Sequence, residues 1–416
     1  MKWIPFVLSL AMTLGFASLG SADSQIEFDS KVEVRTTGKA YLESSSKGKD
    51  YYGEIRVLPE ATVRSEKIPN LSLFLAGDFR LDNEGYASGV IDSFTEKERR
   101  WAANIREAHL EYFYKNFTLK VGKQIFDWSV TDTVSPLDNL AARDWNLIPD
   151  WERVGIPAFS ARYDGWTWSV QTVAAPQFTP SKLPQGRWEE DLPAGLTGKE
   201  VVVDEDRFQY AVKVNKIWQG FDMTLAYYDG VSYNPHGQID LGLTGPELKM
   251  RYSDQKVVSG ALVKEVPWGI ILKSEAGYYD QDKGDDFFQY VLGAQKEFYG
   301  IYWPTDSLVL LLQYTNEAVA SQASDSVVEV TDFRRVFKNS FLWNLSYDPG
   351  GSCPWKLELE GSYNLSDSDS FWRPKVVYQK DNWQLEGGIQ LTNGPEESFW
   401  GQYENDAMFL IFKYFF

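Results

Sequence analysis

A hydrophobic alternation with a period of two residues recurs along most of the chain and limits its fold more than any other feature. In the segment 355–363, the odd-numbered positions are mostly aromatic or aliphatic. The even-numbered positions are Lys356, Glu358, Glu360 and Ser362. The segments 208–214, 341–347 and 383–391 repeat this pattern. Successive side chains of a β-strand point to opposite faces, so the pattern predicts strands with one apolar and one polar face.

The composition favours a membrane β-barrel over a soluble β-sandwich. Aromatic residues make up 15% of the chain, yet the mean hydropathy is −0.36. The aromatics cluster near the ends of the alternating runs, as the girdles of transmembrane barrels do. A soluble sandwich would have shorter strands, and a chain of this length would normally divide into domains. The sequence therefore predicts an all-β fold, a transmembrane antiparallel up-and-down β-barrel.

The N-terminus predicts export. Lys2 gives a short positive region, residues 4–19 are mostly apolar, and small residues precede a cleavage site after Ala22. This is the pattern of a cleaved signal peptide, which we assign to residues 1–22. The remainder, 23–416, is expected to form a single transmembrane β-barrel domain in the cell outer membrane of a Gram-negative bacterium.

The spacing of the alternating runs predicts eighteen strands. They are expected near 26–43, 51–65, 69–82, 101–114, 117–126, 156–163, 166–174, 206–217, 220–231, 247–265, 269–279, 286–298, 306–316, 332–347, 354–364, 370–379, 382–392 and 406–416. Short and long joins alternate, which is typical of barrels with short periplasmic turns and long extracellular loops. The even count requires 247–265 to be one strand, and sixteen strands remains the alternative.

Composition and motifs argue against an enzyme, a metalloprotein or a nucleic-acid-binding protein. The formal charge of −18 opposes binding to a polyanion such as nucleic acid. His109 and His236 are the two histidines, and Cys353 is the single cysteine. The sequence contains no histidine zinc motif and no nucleophile elbow. We assign no catalytic residue, no metal ligand and no cofactor.

The last residues carry the most specific signal. Met408, Leu410, Phe412, Tyr414 and Phe416 alternate back from a terminal phenylalanine. In this the sequence resembles the bacterial outer-membrane β-barrel class, whose last strand typically ends in the same way. The resemblance implies insertion by the barrel-assembly machinery, with Phe412, Tyr414 and Phe416 as the assembly signal. It also implies contact with outer-membrane lipid and lipopolysaccharide.

A second resemblance covers much of the expected barrel. The stretch from Gly122 to Asp138, the proline-rich run from Pro176 to Trp188, and the strands around 273–279 and 289–293 are similar to porins related to alginate-export channels. This resemblance implies an eighteen-strand channel. The alginate channels carry an arginine-rich pore, whereas this chain is strongly acidic overall.

The long join 127–155 is the candidate pore constriction. It contains three tryptophans, which a loop exposed to water would not need, so we expect it to fold into the barrel and pack against the inner wall. A surface loop that caps the barrel mouth is the alternative. In the join 127–155, the candidate constriction residues are Asp132, Asp138, Asp144, Asp150, Glu152, Arg143 and Arg153. The basic residues expected on the opposite wall are Arg334, Lys338, Arg373 and Lys375. The join 175–205 is expected to be stiff and directed outward, or to form a second constriction.

The expected function is a porin-like channel for the passive diffusion of small hydrophilic solutes and ions. Eighteen strands enclose a lumen too wide for wall side chains to fill. The surplus of carboxylates predicts a mild cation preference. Two other functions remain open: a conduit dedicated to a polysaccharide or another specific substrate, and a structural sleeve around a periplasmic electron carrier. The oligomeric state is also open, with a homo-oligomer among the alternatives.

The terminal aromatics give a first prediction. Deletion of Phe416 should lower the amount of heat-modifiable barrel in outer-membrane fractions, because the assembly machinery would lose part of its recognition element. The measurement is the ratio of folded to unfolded protein in unheated gel samples. An unchanged ratio after removal of Phe412, Tyr414 and Phe416 together would show that the signal lies elsewhere.

Overall fold

A computed structural model of the chain describes residues 26–86, 102–140, 142–146, 148–189, 199–202, 207–242, 245–323, 327–328, 334–403 and 405–416. The expected signal peptide, residues 1–22, lies outside this described part. Eighteen antiparallel strands form one closed barrel, which confirms the predicted fold class and strand count. No helix within the described ranges is both long enough and apolar enough to cross a membrane.

The barrel strands are numbered here in chain order. They are β1 (Ile26–Tyr41), β2 (Tyr51–Ser65), β3 (Ile68–Asp82), β4 (Ala103–Tyr114), β5 (Phe117–Gln124), β6 (Ile156–Asp164), β7 (Trp168–Ala175), β8 (Gln209–Trp218), β9 (Phe221–Val231), β10 (Asp254–Val266), β11 (Ile270–Gln281), β12 (Asp286–Tyr299), β13 (Ser307–Ser321), β14 (Ser340–Asp348), β15 (Trp355–Asn364), β16 (Ser370–Lys380), β17 (Trp383–Asn393) and β18 (Ala407–Phe415). Each strand pairs with its neighbours in the chain.

Pairing between the first and last strands closes the barrel. β1 runs antiparallel to β18, with Ala40 opposite Met408 and Glu33 opposite Phe415. The backbone N–H of Phe416 then donates to the carbonyl of Val32 at 2.9 Å. The alternating C-terminal residues therefore complete the sheet, and no strand of the barrel is left as an open edge.

Tight turns at one end of the barrel explain the short joins. Gln219 and Gly220 both have positive φ, at 50° and 75°. Two consecutive residues of this kind make the two-residue hairpin whose twist matches that of the flanking strands. The longest joins, 125–155 and 176–208, both lie at the other end. The predicted alternation of short and long connections is present except at 282–285 and 365–369, which are short joins at the long-join end.

Two predicted strand starts are wrong. The strand expected over 247–265 begins at Asp254, because Gly245–Arg251 instead pairs with His236–Gly242. That pair belongs to a separate four-stranded sheet, which also contains the short strands Lys199–Val202 and Val327–Val328. The strand expected over 332–347 begins at Ser340. The count of eighteen is preserved, since the added sheet is built from the long joins.

The two faces of the barrel wall differ as the alternation predicts. Leu357 in β15 and Leu410 in β18 are 51% and 54% exposed on the outer surface. In β15 the neighbours of Leu357 are the polar residues Lys356 and Glu358, and Glu358 pairs with Lys375 of the adjacent strand at 2.9 Å. In β18 the neighbours of Leu410 are Phe409 and Ile411, which are buried on the inner side. An apolar outer face with a polar interior is the arrangement of a barrel surrounded by lipid.

Tryptophans mark one rim of this outer face. Trp168 begins β7, Trp218 ends β8 and Trp355 begins β15, and all three lie at the short-turn end of the barrel. Each is at least 43% exposed. Tryptophan combines a large apolar ring with one polar N–H group, which suits the boundary between lipid and water.

The assignment of faces gives a second prediction. Leu359 lies near the middle of the outer face of β15, where an arginine should cost roughly 2–4 kcal/mol in a bilayer. Leu359→Arg should therefore reduce folding into lipid vesicles, measured by the gel shift of the folded barrel. Glu358→Arg is the matched control, because it places the same side chain on the inner face. Impaired folding of the Glu358 variant alone would mean that the faces of β15 are reversed.

Candidate pore constriction

The segment 127–155 lies across the interior of the barrel. Glu152 contacts Arg56 of β2 with two hydrogen bonds of 2.6 Å. Asp132 pairs with Lys273 of β11 at 3.2 Å. β2 and β11 are nine positions apart in a closed sheet of eighteen strands, which places them on opposite sides. A segment bonded to both walls divides the lumen.

One wall carboxylate anchors the first part of this segment. Glu275 of β11 is 2% exposed. It accepts hydrogen bonds from the backbone N–H groups of Val130 at 2.5 Å, Thr131 at 2.6 Å and Leu137 at 3.1 Å. The hydroxyl of Ser135 donates a fourth hydrogen bond at 2.6 Å. A single side chain thus accepts hydrogen bonds from backbone N–H groups that would otherwise be buried without an acceptor.

The opposite wall carries three arginines in one row. Arg35, Arg56 and Arg80 are cross-strand partners on β1, β2 and β3. Like charges directly opposite each other destabilise a sheet. Asp78 offsets part of this repulsion, because its carboxylate accepts two hydrogen bonds of 2.8 Å from Arg56 and also bonds Arg80.

With Asp78 and with Glu33, which pairs with Arg35 at 2.8 Å, Glu152 of the inward segment balances the three charges of the row. Besides its two bonds to Arg56, it lies 3.5 Å from Arg35 and 3.7 Å from Arg80. Burial alone would raise the pKa of the Glu152 carboxyl, but attraction to Arg56 and Arg80 dominates and lowers it to about 2. Because the pKa is depressed, the contact between Glu152 and the arginines is intact at any pH at or above the usual range of carboxyl pKa values. It is lost only as the pH falls toward 2.

The middle of the segment is held by its own charges. Asp138 pairs with Arg143 at 3.2 Å and with Arg153 at 2.8 Å. The guanidinium of Arg143 also lies over the ring of Trp151, 4.3 Å from its centre. Short strands over Ala142–Asp144 and Glu152–Val154 pair with each other, so the segment contains a small hairpin of its own.

Aromatic packing fixes the tip of this hairpin. Trp145 is buried in a cluster with Trp188, Phe371, Trp400 and Tyr403. These residues come from the join 176–208, from the inner face of β16 and from the last long join. The tryptophans of the segment therefore do pack inside the barrel. Trp128 is buried as well, with the ammonium of Lys213 at 4.9 Å from the centre of its ring.

The described part of the join 175–205 also packs inward. Phe178 and Trp188 are fully buried. The backbone of Lys182 donates to the carbonyl of Arg143 at 2.7 Å and accepts from the N–H of Trp145 at 2.9 Å. The expected outward direction is wrong for residues 176–189, which instead pack against the segment 127–155. Residues 190–198 and 203–206 of this join lie outside the described part.

A cavity of about 640 Å³ remains between the segment and the wall formed by β10–β16. Of the predicted site residues, those that line it are Asp132, Asp138, Arg143, Asp150, Arg334, Arg373 and Lys375. Asp150 lies at its edge and bonds Arg373 of β16 at 2.6 Å and Lys39 of β1 at 2.7 Å. Of the expected acidic residues of the segment and basic residues of the wall, the structure thus brings Asp150 and Arg373 into contact.

Other predicted residues lie elsewhere. Asp144, Glu152 and Arg153 line a second, smaller space of about 30 Å³ against the arginine row. Lys338 is exposed and is not part of either lining among the described residues. Sequence reasoning missed Asp78 and Arg80 on the inner wall. The alternation of Leu71, Leu73 and Leu75 on the other face of β3 would have indicated their direction.

Solved structures share this architecture at low sequence identity. OccD3 (OpdP) of Pseudomonas aeruginosa matches with a TM-score of 0.54 and 10% identity, covering 95% of this chain and 93% of that chain. OccAB4 of Acinetobacter baumannii matches with 0.52 and 11%, covering 95% and 99%. Wzi of Escherichia coli, described as a carbohydrate-binding β-barrel outer-membrane protein, matches with 0.53 and 11%, covering 99% and 88%.

At 10–11% sequence identity, these structural matches indicate a shared fold and no more. No protein-family model matches the chain, and no curated protein matches its sequence. What the solved structures share with this chain is the fold, which here is a closed barrel of eighteen antiparallel strands.

The anchor on β11 gives a third prediction. Glu275→Gln leaves one acceptor oxygen, so its NH2 group must face either the N–H groups of Val130 and Thr131 or the N–H group of Leu137 beside the Ser135 hydroxyl. Each lost charged hydrogen bond costs about 1.5–3 kcal/mol. Hydrogen exchange of residues 127–137 in the detergent-folded barrel should therefore become faster, while exchange of the barrel strands stays unchanged.

Glu358→Gln is the matched control, since Glu358 pairs with Lys375 of the wall and not with the segment. Equal exchange in the wild type and in both variants would show that Glu275 does not hold the segment in place.

Proposed function

We propose that the protein is an outer-membrane channel for the passive diffusion of small hydrophilic solutes and ions. The observation that carries this proposal is the partly filled lumen. The inward segment narrows the barrel but leaves a cavity lined by polar and charged side chains. Rings of charge at such a narrow point are what set ion selectivity in channels. The porin fold of the neighbouring structures supports the same function.

The orientation follows from the connections. We place the short turns in the periplasm and the long joins outside the cell, as in bacterial barrels of this class. The segment 127–155 and the residues 176–189 then enter the lumen from the extracellular side. A structural sleeve around a periplasmic protein would need a wide bore, and the segment that crosses this lumen argues against it.

The charges in the cavity predict weak selectivity. Its lining contains four carboxylates and four basic side chains. These are Asp132, Asp138, Asp150 and Glu360, against Arg143, Arg334, Arg373 and Lys375. A narrow point with balanced charges has little preference between cations and anions. The surplus of acidic residues over the whole chain should therefore produce only a mild cation preference.

Planar-bilayer recording tests the channel and this preference. Asp132 is the carboxylate in the lining with the most exposed side chain, at 47%. Asp132→Asn should lower the cation-to-anion permeability ratio, obtained from the reversal potential in a salt gradient. Asp367→Asn is the control, because Asp367 lies in the join between β15 and β16, away from the cavity lining.

Deletion of 130–150 tests the constriction itself. The deletion removes the part of the segment that crosses the lumen, so single-channel conductance should rise. If conductance and permeability ratio both stay at their wild-type values, the narrow point lies in the join 175–205. If the purified wild-type barrel gives no conductance steps at all, the channel function is excluded.

A further inference from the structure

A row of side chains runs across five adjacent strands of the cavity wall. Gln295 of β12 lies opposite Leu311 of β13, and Leu311 lies opposite Asn344 of β14. Asn344 is paired with Glu360 of β15, which is paired with Arg373 of β16. All five residues line the cavity. Neighbouring strands are about 4.8 Å apart, so the row presents a polar group at nearly every strand.

The charged end of the row is internally neutralised. Arg373 donates to Glu360 at 3.1 Å and to Asp150 of the inward segment at 2.6 Å. Lys375, the next basic residue on the same face, pairs with Glu358 at 2.9 Å. A charged solute would have to compete with these existing pairs. The wall is therefore better suited to hydrogen bonding with an uncharged molecule than to attracting an ion.

The amide end of the row is open. Gln295 is half-buried and Asn344 is exposed to the lumen. Among the described residues neither side chain makes a hydrogen bond to the protein. Each amide offers two donors and one acceptor oxygen. A hydroxyl group also donates and accepts, so vicinal hydroxyls of a sugar match the hydrogen-bonding capacity of the two amides.

Apolar surface lies next to these polar groups. Leu311 separates the two amides, and Phe337 and Phe399 line the same cavity as half-buried side chains. The rings of Phe337 and Phe399 are 6.2 Å apart and roughly perpendicular. A pyranose ring has C–H faces that pack on such apolar surface and a hydroxyl rim that forms hydrogen bonds. Ligand pockets commonly combine apolar lining with a few placed polar groups.

We propose that the wall from Gln295 to Arg373, with Phe337 and Phe399, is a binding subsite for an uncharged polyhydroxylated solute, a short neutral oligosaccharide. The inference rests on the proposed channel function, because a solute must reach the lumen to bind there. The cavity volume of about 640 Å³ lies within the range of small-molecule sites. The balanced and internally paired charges favour a neutral sugar over a polyanionic one.

Sugar block of the ionic current tests this subsite. Maltotriose added to a single channel in potassium chloride should interrupt the current, and the interruption should saturate with sugar concentration. The double variant Gln295→Ala/Asn344→Ala should weaken the apparent affinity about tenfold, since it removes two or more modest hydrogen bonds. Gln171→Ala is the matched control, because Gln171 of β7 lies outside the cavity lining and its variant should keep the wild-type affinity.

The outcomes separate this inference from the channel function. Conductance in salt alone tests the channel, so its absence overturns the proposed function. Normal conductance without saturable block by maltotriose overturns the subsite alone. Block that survives the double variant places the sugar elsewhere and also overturns it. A trigalacturonate that blocks as strongly as maltotriose would overturn the assignment to uncharged solutes.

Discussion

Every backbone N–H and C=O group inside a bilayer needs a partner within the protein, and the rest of this structure depends on how that requirement is met. An open sheet would expose two rows of unpaired groups to lipid. Pairing of β1 with β18 removes both rows. The wall can then be apolar outside without penalty, and the alternation of the sequence becomes a division between lipid and lumen.

Closure with eighteen strands creates a second requirement, because the interior is too wide for wall side chains to fill. The chain meets it with 127–155 and 176–189, which carry their own aromatic core into the lumen. Charged contacts attach this filling to the wall: Glu275 holds backbone N–H groups on one side, and Glu152 contacts arginines on the other. What stays open is a bounded cavity with balanced charges.

The period of two predicted much of this architecture because it is a local property of each strand. It predicted the strand count and the faces of residues such as Leu357 and Glu358. Long joins have no such period, so their contacts depend on distant parts of the chain. Asp132 and Asp144 look alike in the sequence, yet one faces the cavity and the other lies 3.6 Å from Arg80 behind the segment. The predicted strand start at residue 247 was wrong for the same reason, because Gly245–Arg251 pairs with another strand of the long joins.

The arginine row on β1–β3 links the stability of the first wall strands to the inward segment. Arg35, Arg56 and Arg80 belong to the first three strands, whereas Glu152 lies just before β6. Without Glu152 the row would keep the partners from its own strands, Glu33 beside Arg35 and Asp78 beside Arg56 and Arg80, but would lose the carboxylate that contacts all three arginines. The wall of β1–β3 therefore reaches its full stability only when the inward segment is in place. The same dependence constrains evolutionary change, because Glu152 and its three arginines are expected to vary together rather than one at a time.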